Sequence, residues 1–242
     1  MQHCYFNFCT NINQNFSMKY FSESFNQFFK DLAANNNRDW YHANKSRFEN
    51  DVKKPFEVFI TDLIAAIAKH EPQMKHLQAK DTIFRIFRDT RFSQDKTPYK
   101  LYTSAALSPA GRKDMEMPGT YLQFGVGEIW IGGGSYMPYK EQIEKLRTAM
   151  IQSPELIETL QTDKAFVKYF GELRGEKNKR LLKPFSEWMD KMPLIANKQF
   201  YYMAEYHDDE SLILRDDILE YVMKHYLAAK NWQDFLRSAL LP

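Results

Sequence analysis

Glycine and cysteine are scarce in this sequence. Nine of the 242 residues are glycine, and the two cysteines, Cys4 and Cys9, both lie in the first ten residues. So little glycine excludes a collagen-like chain and argues against a flexible linker. The two cysteines cannot form a disulfide framework for a chain of this length, and they lack the two-residue spacing of a zinc or redox pair. This usage fits a reducing compartment, so we expect a cytoplasmic protein.

Long apolar runs and an excess of one charge are also missing. No apolar run approaches the roughly 18 residues that a membrane span requires. The 33 Lys and Arg residues nearly balance the 31 Asp and Glu residues, which leaves a net charge of +2. So small a charge argues against non-specific binding of nucleic acid by the whole protein. We therefore expect neither a membrane protein nor a general nucleic-acid-binding protein.

Aromatic residues are abundant instead. The chain has 19 Phe, 14 Tyr and 4 Trp residues. Their apolar surface can offset the entropy cost of ordering a large core, so a disordered chain is excluded. Met18 directly precedes a helical pattern of Phe residues, whereas residues 1–17 show no periodicity. We expect residues 1–17 to be a flexible tail or a mis-assigned start, and residues 18–242 to form a single domain.

The order of the periodic patterns predicts the fold class. Apolar residues at helical spacing occur at both ends of the chain, and alternating patterns are grouped in the middle. Strands that are grouped, and that do not alternate with helices, predict an α+β domain. We expect a mainly antiparallel sheet of four or five strands, packed by N- and C-terminal helices. The predicted helices include 22–34, 139–152, 215–229 and 231–240, and the predicted strands are 82–92, 100–107, 120–124, 128–131 and 198–206.

Familiar catalytic motifs each fail at one residue. Trp130 stands where a dinucleotide-binding fingerprint beginning at Gly125 requires glycine. Met137 stands where a nucleophile elbow beginning at Gly133 requires glycine. No two of the six histidines lie four residues apart, so we predict no metal site and no cofactor.

The most distinctive block runs from Arg85 to Lys100, where five basic residues accompany two acidic ones. Alternation places Arg88 on the apolar side of its predicted strand, where it must find a carboxylate, a carbonyl or a bound anion. Two interpretations stay open: an internal cluster of salt bridges, or a site for an anionic ligand. The candidate ligand-binding residues are Arg88, Arg91, Lys96 and Lys100, which a turn would bring together. The candidate general acids or bases are Asp89, Asp95 and Tyr99.

A run of three glycines, Gly132, Gly133 and Gly134, is the second candidate site. Without Cβ atoms the backbone can approach a ligand closely, and a helix that starts near Pro138 would offer N–H groups to an anion. Trp130 and Tyr136 could form walls of such a pocket. The alternative is a β-bulge or a strand-to-helix turn that requires small residues. In either case we expect the glycines to end the strand.

Several segments together resemble a known family. They are Asn36-Asn37-Arg38-Asp39-Trp40-Tyr41, the RDxRFSxDKxPYK signature from Arg88 to Lys100, and Gly132-Gly133-Gly134 with Met137-Pro138. In these segments the chain resembles bacterial and fungal conserved hypothetical proteins that are classed as a domain of unknown function. The resemblance extends from about Phe25 to Leu240. It implies one full-length domain, and it implies no reaction and no catalytic residues.

Two functions are consistent with these patterns. In the first, the basic block and the glycine run form a pocket that binds a small phosphate- or carboxylate-bearing molecule. In the second, the protein is a non-enzymatic interaction module that binds a protein or nucleic-acid partner through basic surface blocks such as residues 174–183. The patterns do not decide whether the protein is an enzyme.

Overall fold

One antiparallel sheet lies at the centre of the fold. Its strands are β1 (Tyr102–Leu107), β2 (Gly119–Gly125), β3 (Glu128–Ser135) and β4 (Phe200–His207). Each strand pairs with the next one along the chain. The structure is a computed structural model that describes residues 19–113 and 117–241. The predicted α+β class and antiparallel sheet are confirmed, with four strands in the described residues. The tail or mis-assigned start predicted at residues 1–17 lies outside them.

Helices occupy the chain before the sheet. They are α1 (Glu23–Ala34), α2 (Arg38–Ala43), α3 (Lys45–Arg47), a π-helical turn (Phe48–Lys53), α4 (Lys54–Ile67) and α5 (Ala79–Thr82). The helix predicted over 22–34 is confirmed, and α1 buries Phe25, Phe28 and Leu32 on one face, as their spacing requires. Pro55 is the second residue of α4, but the residues before it are already helical, so its missing N–H leaves one carbonyl of the preceding π-helical turn without an intrahelical donor.

Helices return after β3. They are α6 (Lys140–Gln152), α7 (Pro154–Gln161), α8 (Lys164–Phe170) and α9 (Ile218–Leu240), and short 3₁₀ turns cover Pro72–His76, Gly111–Lys113, Phe185–Trp188, Pro193–Ala196 and Leu212–Leu214. The prediction of two C-terminal helices is wrong, because α9 is continuous. No glycine or proline interrupts it, and Ala229, Trp232 and Leu236 continue its buried stripe across the expected break.

Two groups of buried apolar side chains pack against the inner face of the sheet and against α9. One group joins α1 and α4 to the sheet through residues such as Phe25, Phe59 and Phe124. The other joins α6, α7 and α8 to β4 and to the end of α9, with Phe166 and Trp232 among its buried members. Because both groups pack on the same sheet and on the same helix, the described residues form one α+β domain.

The strand predicted over 82–92 is not a regular strand. The segment runs beside β1. One isolated bridge joins Ile83 to Ala105 of β1, and a second joins Phe87 to Tyr99 in the loop before β1. The two bridges do not share one register, so the pairing is interrupted near Leu101 and no continuous ladder forms. The other predicted strands are present, including the hairpin whose turn contains Gly127 at a positive φ of 62°.

Candidate functional site

A cleft of about 610 Å³ opens beside the Arg85–Lys100 block. This volume is typical of small-molecule sites. The end of α1 forms one side of the cleft, and the segment 88–102 forms the other. Its lining includes Asn36, Arg88, Asp95, Tyr99, Lys100 and Tyr102.

Asn36 and Tyr99 hold the two sides of the cleft together. The Asn36 Nδ2 donates to the Tyr99 carbonyl oxygen at 3.0 Å, and the Tyr99 N–H donates to the Asn36 Oδ1 at 3.1 Å. The buried Tyr99 ring stacks on the Tyr41 ring, with 4.2 Å between the centroids. Burial raises the pKa of Tyr99. The sequence suggests Tyr99 as a general acid or base. In the structure its buried, stacked ring anchors the segment instead.

Arg88 has the carboxylate partner that its position in the sequence requires. Its Nη1 donates to the Asp95 carboxylate and to the Thr97 hydroxyl group. The Thr97 N–H also donates to the Asp95 Oδ1, at 2.9 Å. This backbone hydrogen bond and the Arg88 guanidinium lower the pKa of Asp95 to about 2. Arg88 and Asp95 therefore form an internal salt bridge, which is the first of the two interpretations of this block.

Arg91 and Lys96 lie outside the cleft. Arg91 donates from Nε to the Asp89 Oδ1 at 3.0 Å and from Nη2 to the Asp89 Oδ2 at 2.7 Å. This fork, together with a backbone hydrogen bond from Arg91, lowers the pKa of Asp89 to about 2. The Lys96 Nζ donates to the Thr90 carbonyl oxygen at 2.9 Å. Of the four basic residues predicted to bind a ligand, the cleft brings together Arg88 and Lys100.

Lys100 has no carboxylate partner among the residues that the structure describes. Its ammonium group lies 5.5 Å from the centre of the Phe84 ring and 5.7 Å from the centre of the Tyr102 ring. Burial, together with the positive charge of Arg85, lowers the pKa of Lys100. A half-buried cation close to a second cation is an arrangement that a bound anion would stabilise.

Sequence reasoning missed Phe84 and Tyr102, the two aromatic residues around Lys100. Tyr102 lies two residues after Lys100, and Phe84 lies beside β1, where its N–H donates to the Ser104 carbonyl oxygen at 2.9 Å. The alternation of Lys100 and Tyr102 is a signal that could have identified Tyr102. Phe84 has no such signal, because its position near Lys100 depends on the pairing of two segments.

The glycine run does not line the cleft. Gly132, Gly133 and Gly134 lie inside β3 and pair with β2 on one side and with β4 on the other. The expectation that they end the strand is wrong. A Cβ atom at Gly132 would overlap the Tyr202 carbonyl oxygen, and one at Gly133 would overlap the Gly119 carbonyl oxygen. The glycines therefore allow β2, β3 and β4 to approach each other closely.

The two aromatic residues predicted to wall a glycine pocket also lie away from the cleft. Trp130 is paired between Gln123 of β2 and Glu205 of β4 on the outer face of the sheet. Tyr136 is 60% exposed, and its ring contacts the Tyr201 ring edge-on, with 5.1 Å between the centroids. The basic block and the glycine run therefore do not form the single pocket expected from the sequence. Of the two, only the basic block lines the cleft.

Residues 19–113 and 117–241 contain no group of three or more His, Cys, Asp or Glu side chains placed to hold a metal ion. Across these same residues, none of the helices combines the length and the apolar composition that a membrane span needs. The cytoplasmic location stays a prediction.

Fold and site together define an α+β protein with a four-stranded antiparallel sheet, helices on its inner face, and a cleft that combines cations with aromatic rings. The family model of the conserved hypothetical proteins DUF2461 matches residues 24–235. The chain belongs to this family, and the predicted resemblance to conserved hypothetical proteins is confirmed. Searches of curated proteins and of solved structures found no match.

Proposed function

We propose that the protein binds a small phosphate- or carboxylate-bearing molecule in the cleft beside Lys100. Lys100 itself is the observation that supports this proposal. Its half-buried ammonium group lies over Phe84 and Tyr102, near the charge of Arg85, and no described carboxylate neutralises it. An unpaired charge is costly to remove from water, and an anion bound in the cleft would offset that cost.

Arg88 supplies a second cation to the same cleft. Its hydrogen bonds to Asp95 and Thr97 all use Nη1, so Nε and Nη2 remain available to a ligand, as far as the described residues show. A guanidinium group offers a planar set of donors that matches a carboxylate or a phosphate. Arg88 would therefore orient the anion, and Lys100 would balance its charge.

The carboxylates of the block do not suit general acid catalysis at neutral pH. Their hydrogen bonds hold the pKa of Asp89 and that of Asp95 at about 2. A general acid works best when its pKa lies near the working pH. The proposal therefore concerns binding, and it gives these two carboxylates the role of holding Arg91 and Arg88 in place.

The alternative function, an interaction module, relies on basic surface blocks such as residues 174–183. Two members of that block are held by internal contacts. The Arg174 Nη1 pairs with the Glu205 Oε1 at 2.5 Å, and the Lys183 Nζ pairs with the Glu187 Oε1 at 2.8 Å. Because part of this charge is already balanced, the cleft beside Lys100 has the stronger support.

Phosphate is the probe that tests the proposal. A ligand at a hundred times its dissociation constant stabilises the folded state by about 2.7 kcal/mol. We expect phosphate to raise the melting temperature of the wild-type protein in a saturable way, and Lys100→Met to remove most of that shift. The melting temperature of unliganded Lys100→Met should not fall, because the change removes an unpaired, half-buried charge.

Lys96→Met is the matched control, because it removes a lysine from the same block but outside the cleft. This variant should keep the full response to phosphate. The proposal is wrong if Lys100→Met keeps the full response as well, or if it melts far below the wild type without phosphate. Binding of a DNA or RNA duplex that Lys100→Met leaves intact would favour the interaction module instead.

A further inference from the structure

A second cavity of about 510 Å³ shares only Tyr102 with the cleft beside Lys100. One of its walls is the helical stretch from Tyr41 to Glu57, and the other is the segment from Lys80 to Phe87. We call this cavity the aromatic groove. Its volume falls in the range of small-molecule sites, so its lining indicates which chemistry it would accept.

Apolar side chains form the inner surface of the aromatic groove. Phe56 and Ile86 are buried in the core beneath it, and Phe48 and Phe84 are partly buried. Phe87 lines the groove and is 47% exposed. Binding sites for small molecules are lined mainly by apolar and aromatic side chains, with a few polar groups that orient the ligand. The groove therefore suits a ligand with an apolar body.

Positive charge exceeds negative charge around the groove, because five cationic side chains line it against two carboxylates. Lys53 pairs with the Glu49 carboxylate, at 2.9 Å between Nζ and Oε2. Lys45, Lys80 and Arg85 form no salt bridge with any residue in the described ranges. The cations are Lys45, Lys53, Lys80, Arg85 and Arg112, and the carboxylates are Glu49 and Glu57.

The π-helical turn at Phe48–Lys53 lies in the wall of the groove and contributes Phe48, Glu49 and Lys53 to its lining. Turns of this kind are rare, and they occur frequently at functional sites. This irregular backbone is an observation independent of the charges. It places an aromatic ring and two charged groups on the same cavity within six residues of the chain.

We infer that the aromatic groove binds an amphipathic anion, with an apolar body against Phe84 and Phe87 and an acidic head group at Lys80 and Arg85. The ligand class is a carboxylate, sulfonate or phosphate that carries an aromatic ring system or an alkyl chain. This site goes beyond the function proposed above, because it uses other cations and requires the apolar body.

The probe is 8-anilinonaphthalene-1-sulfonate, an anion with an apolar ring system whose fluorescence rises when its rings leave water. Titration of the native protein should give a saturable increase. Arg85→Met keeps an apolar side chain but removes the charge, and it should weaken binding about tenfold, the effect of losing one charge-assisted hydrogen bond. Phe87→Glu adds a like charge to the apolar wall, and it should weaken binding at least as much.

Two variants on an exposed loop are the matched controls. Arg180→Met removes an arginine charge, and Leu182→Glu adds a carboxylate where the native leucine is 87% exposed. Both should bind the probe as the wild type does. Circular dichroism and a cooperative melt check that each variant is folded. If Phe87→Glu does not fold, Arg85→Met alone decides the outcome.

Competition distinguishes this groove from a simple anion site. Dodecanoate should displace the probe, whereas inorganic phosphate should not, even at concentrations that stabilise the protein through Lys100. The inference is overturned if the wild type shows no saturable binding, if Arg85→Met binds as tightly as the wild type, or if phosphate displaces the probe as well as dodecanoate does. Lys100→Met retains Lys80, Arg85 and Phe87 of the groove, so it should lose the phosphate response and keep saturable binding of the probe. Failure of one site is therefore distinguishable from failure of the other.

Discussion

Arg88 and Lys100 come from one block of the sequence, but in the fold Arg88 has a carboxylate partner and Lys100 lies beside aromatic rings. Asp95 and Thr97 balance Arg88 through direct hydrogen bonds. Lys100 lies over two aromatic rings, and no carboxylate in the described part of the chain pairs with it. At the scale of single residues, an unbalanced charge that is partly removed from water is the feature that most needs a ligand. Lys100 is therefore the residue on which the proposed function depends.

The glycines of β3 allow a separate test at the residue scale. A Cβ atom at Gly133 would overlap the Gly119 carbonyl oxygen and lie 2.6 Å from the Tyr202 hydroxyl oxygen. We expect Gly133→Ala to destabilise the protein by roughly 1–3 kcal/mol, the usual cost of overpacking a core, because backbone atoms must move. The measurement is the urea midpoint.

Gly171→Ala is the control for this substitution. Gly171 has a positive φ of 73°, and a Cβ atom added there would meet no other atom within 4 Å, so its cost comes from backbone strain alone and leaves the packing of the sheet unchanged. If Gly133→Ala kept its stability but lost the phosphate response, the glycine run would belong to the ligand site after all.

At the scale of elements, α9 joins the parts of the fold and carries a fully buried histidine. The His225 Nδ1 lies 2.8 Å from the Tyr221 carbonyl oxygen, and its Nε2 lies 2.5 Å from the Tyr206 hydroxyl oxygen. A carbonyl oxygen can only accept, so Nδ1 carries the hydrogen and Nε2 accepts from Tyr206. Burial lowers the pKa of His225. The native state therefore holds this ring neutral.

This histidine should make the stability of the protein depend on pH. Its pKa in the unfolded chain is about 6.5, above the native value, so the unfolded state binds more protons below that pH. The free energy of unfolding should therefore fall as the pH drops below about 6.5 and should be unaffected by this group above it. Urea midpoints measured between about pH 5 and pH 8 test the expected direction.

One variant separates His225 from other titrating groups. His225→Gln removes the ionisable ring and should flatten the loss of stability below about pH 6.5, although it lowers stability at neutral pH. An unchanged slope in His225→Gln would mean that other groups cause the acid sensitivity.

At the scale of the whole molecule, a buried polar network joins distant parts of the chain. Glu71, in the connection after α4, forms a salt bridge with Arg237 near the end of α9. Its Oε1 also accepts a hydrogen bond from the Tyr226 hydroxyl group at 2.6 Å. The Arg237 Nε donates to the Pro118 carbonyl oxygen at 2.7 Å. The network therefore links the N-terminal helices, α9 and the segment that leads into β2.

Removing one charge of this network should be costly. Glu71→Gln leaves the Arg237 charge buried without its partner, and breaking a buried pair in this way costs about 3–5 kcal/mol. The double variant Glu71→Met, Arg237→Met removes both charges and should recover part of that loss. Denaturant midpoints of the single and double variants measure the difference.

Glu220→Gln is the control on the same helix, because it breaks an exposed pair with Lys224. Its midpoint should stay close to that of the wild type, since exposed pairs contribute little. A Glu71→Gln variant as stable as the Glu220→Gln variant would show that the Glu71–Arg237 pair does not hold the domain together.

Local patterns are sufficient to predict much of the secondary structure. The spacing of Phe25, Phe28 and Leu32 predicts α1. The side chain of Asp163 caps the start of α8 and Gly171 ends it, and capping depends only on a few adjacent residues. The grouping of the strands likewise predicts the α+β class, and the family resemblance implies one full-length domain. These features are local, or they follow from the order of local elements. They can therefore be predicted from the sequence.

Tertiary contacts decide the remaining features. The segment 82–92 alternates like a strand, but its register shifts by two residues near Leu101. Such a shift leaves every side chain on the same face, so the alternation does not reveal it. The glycines of β3 are close-packed between two strands, which only the neighbouring backbones reveal. The pairing of Arg88 and the unpaired state of Lys100 depend on which groups the fold brings within a few ångströms. Charge balance at a site is therefore a property of the folded geometry, which residue types and their spacing do not specify.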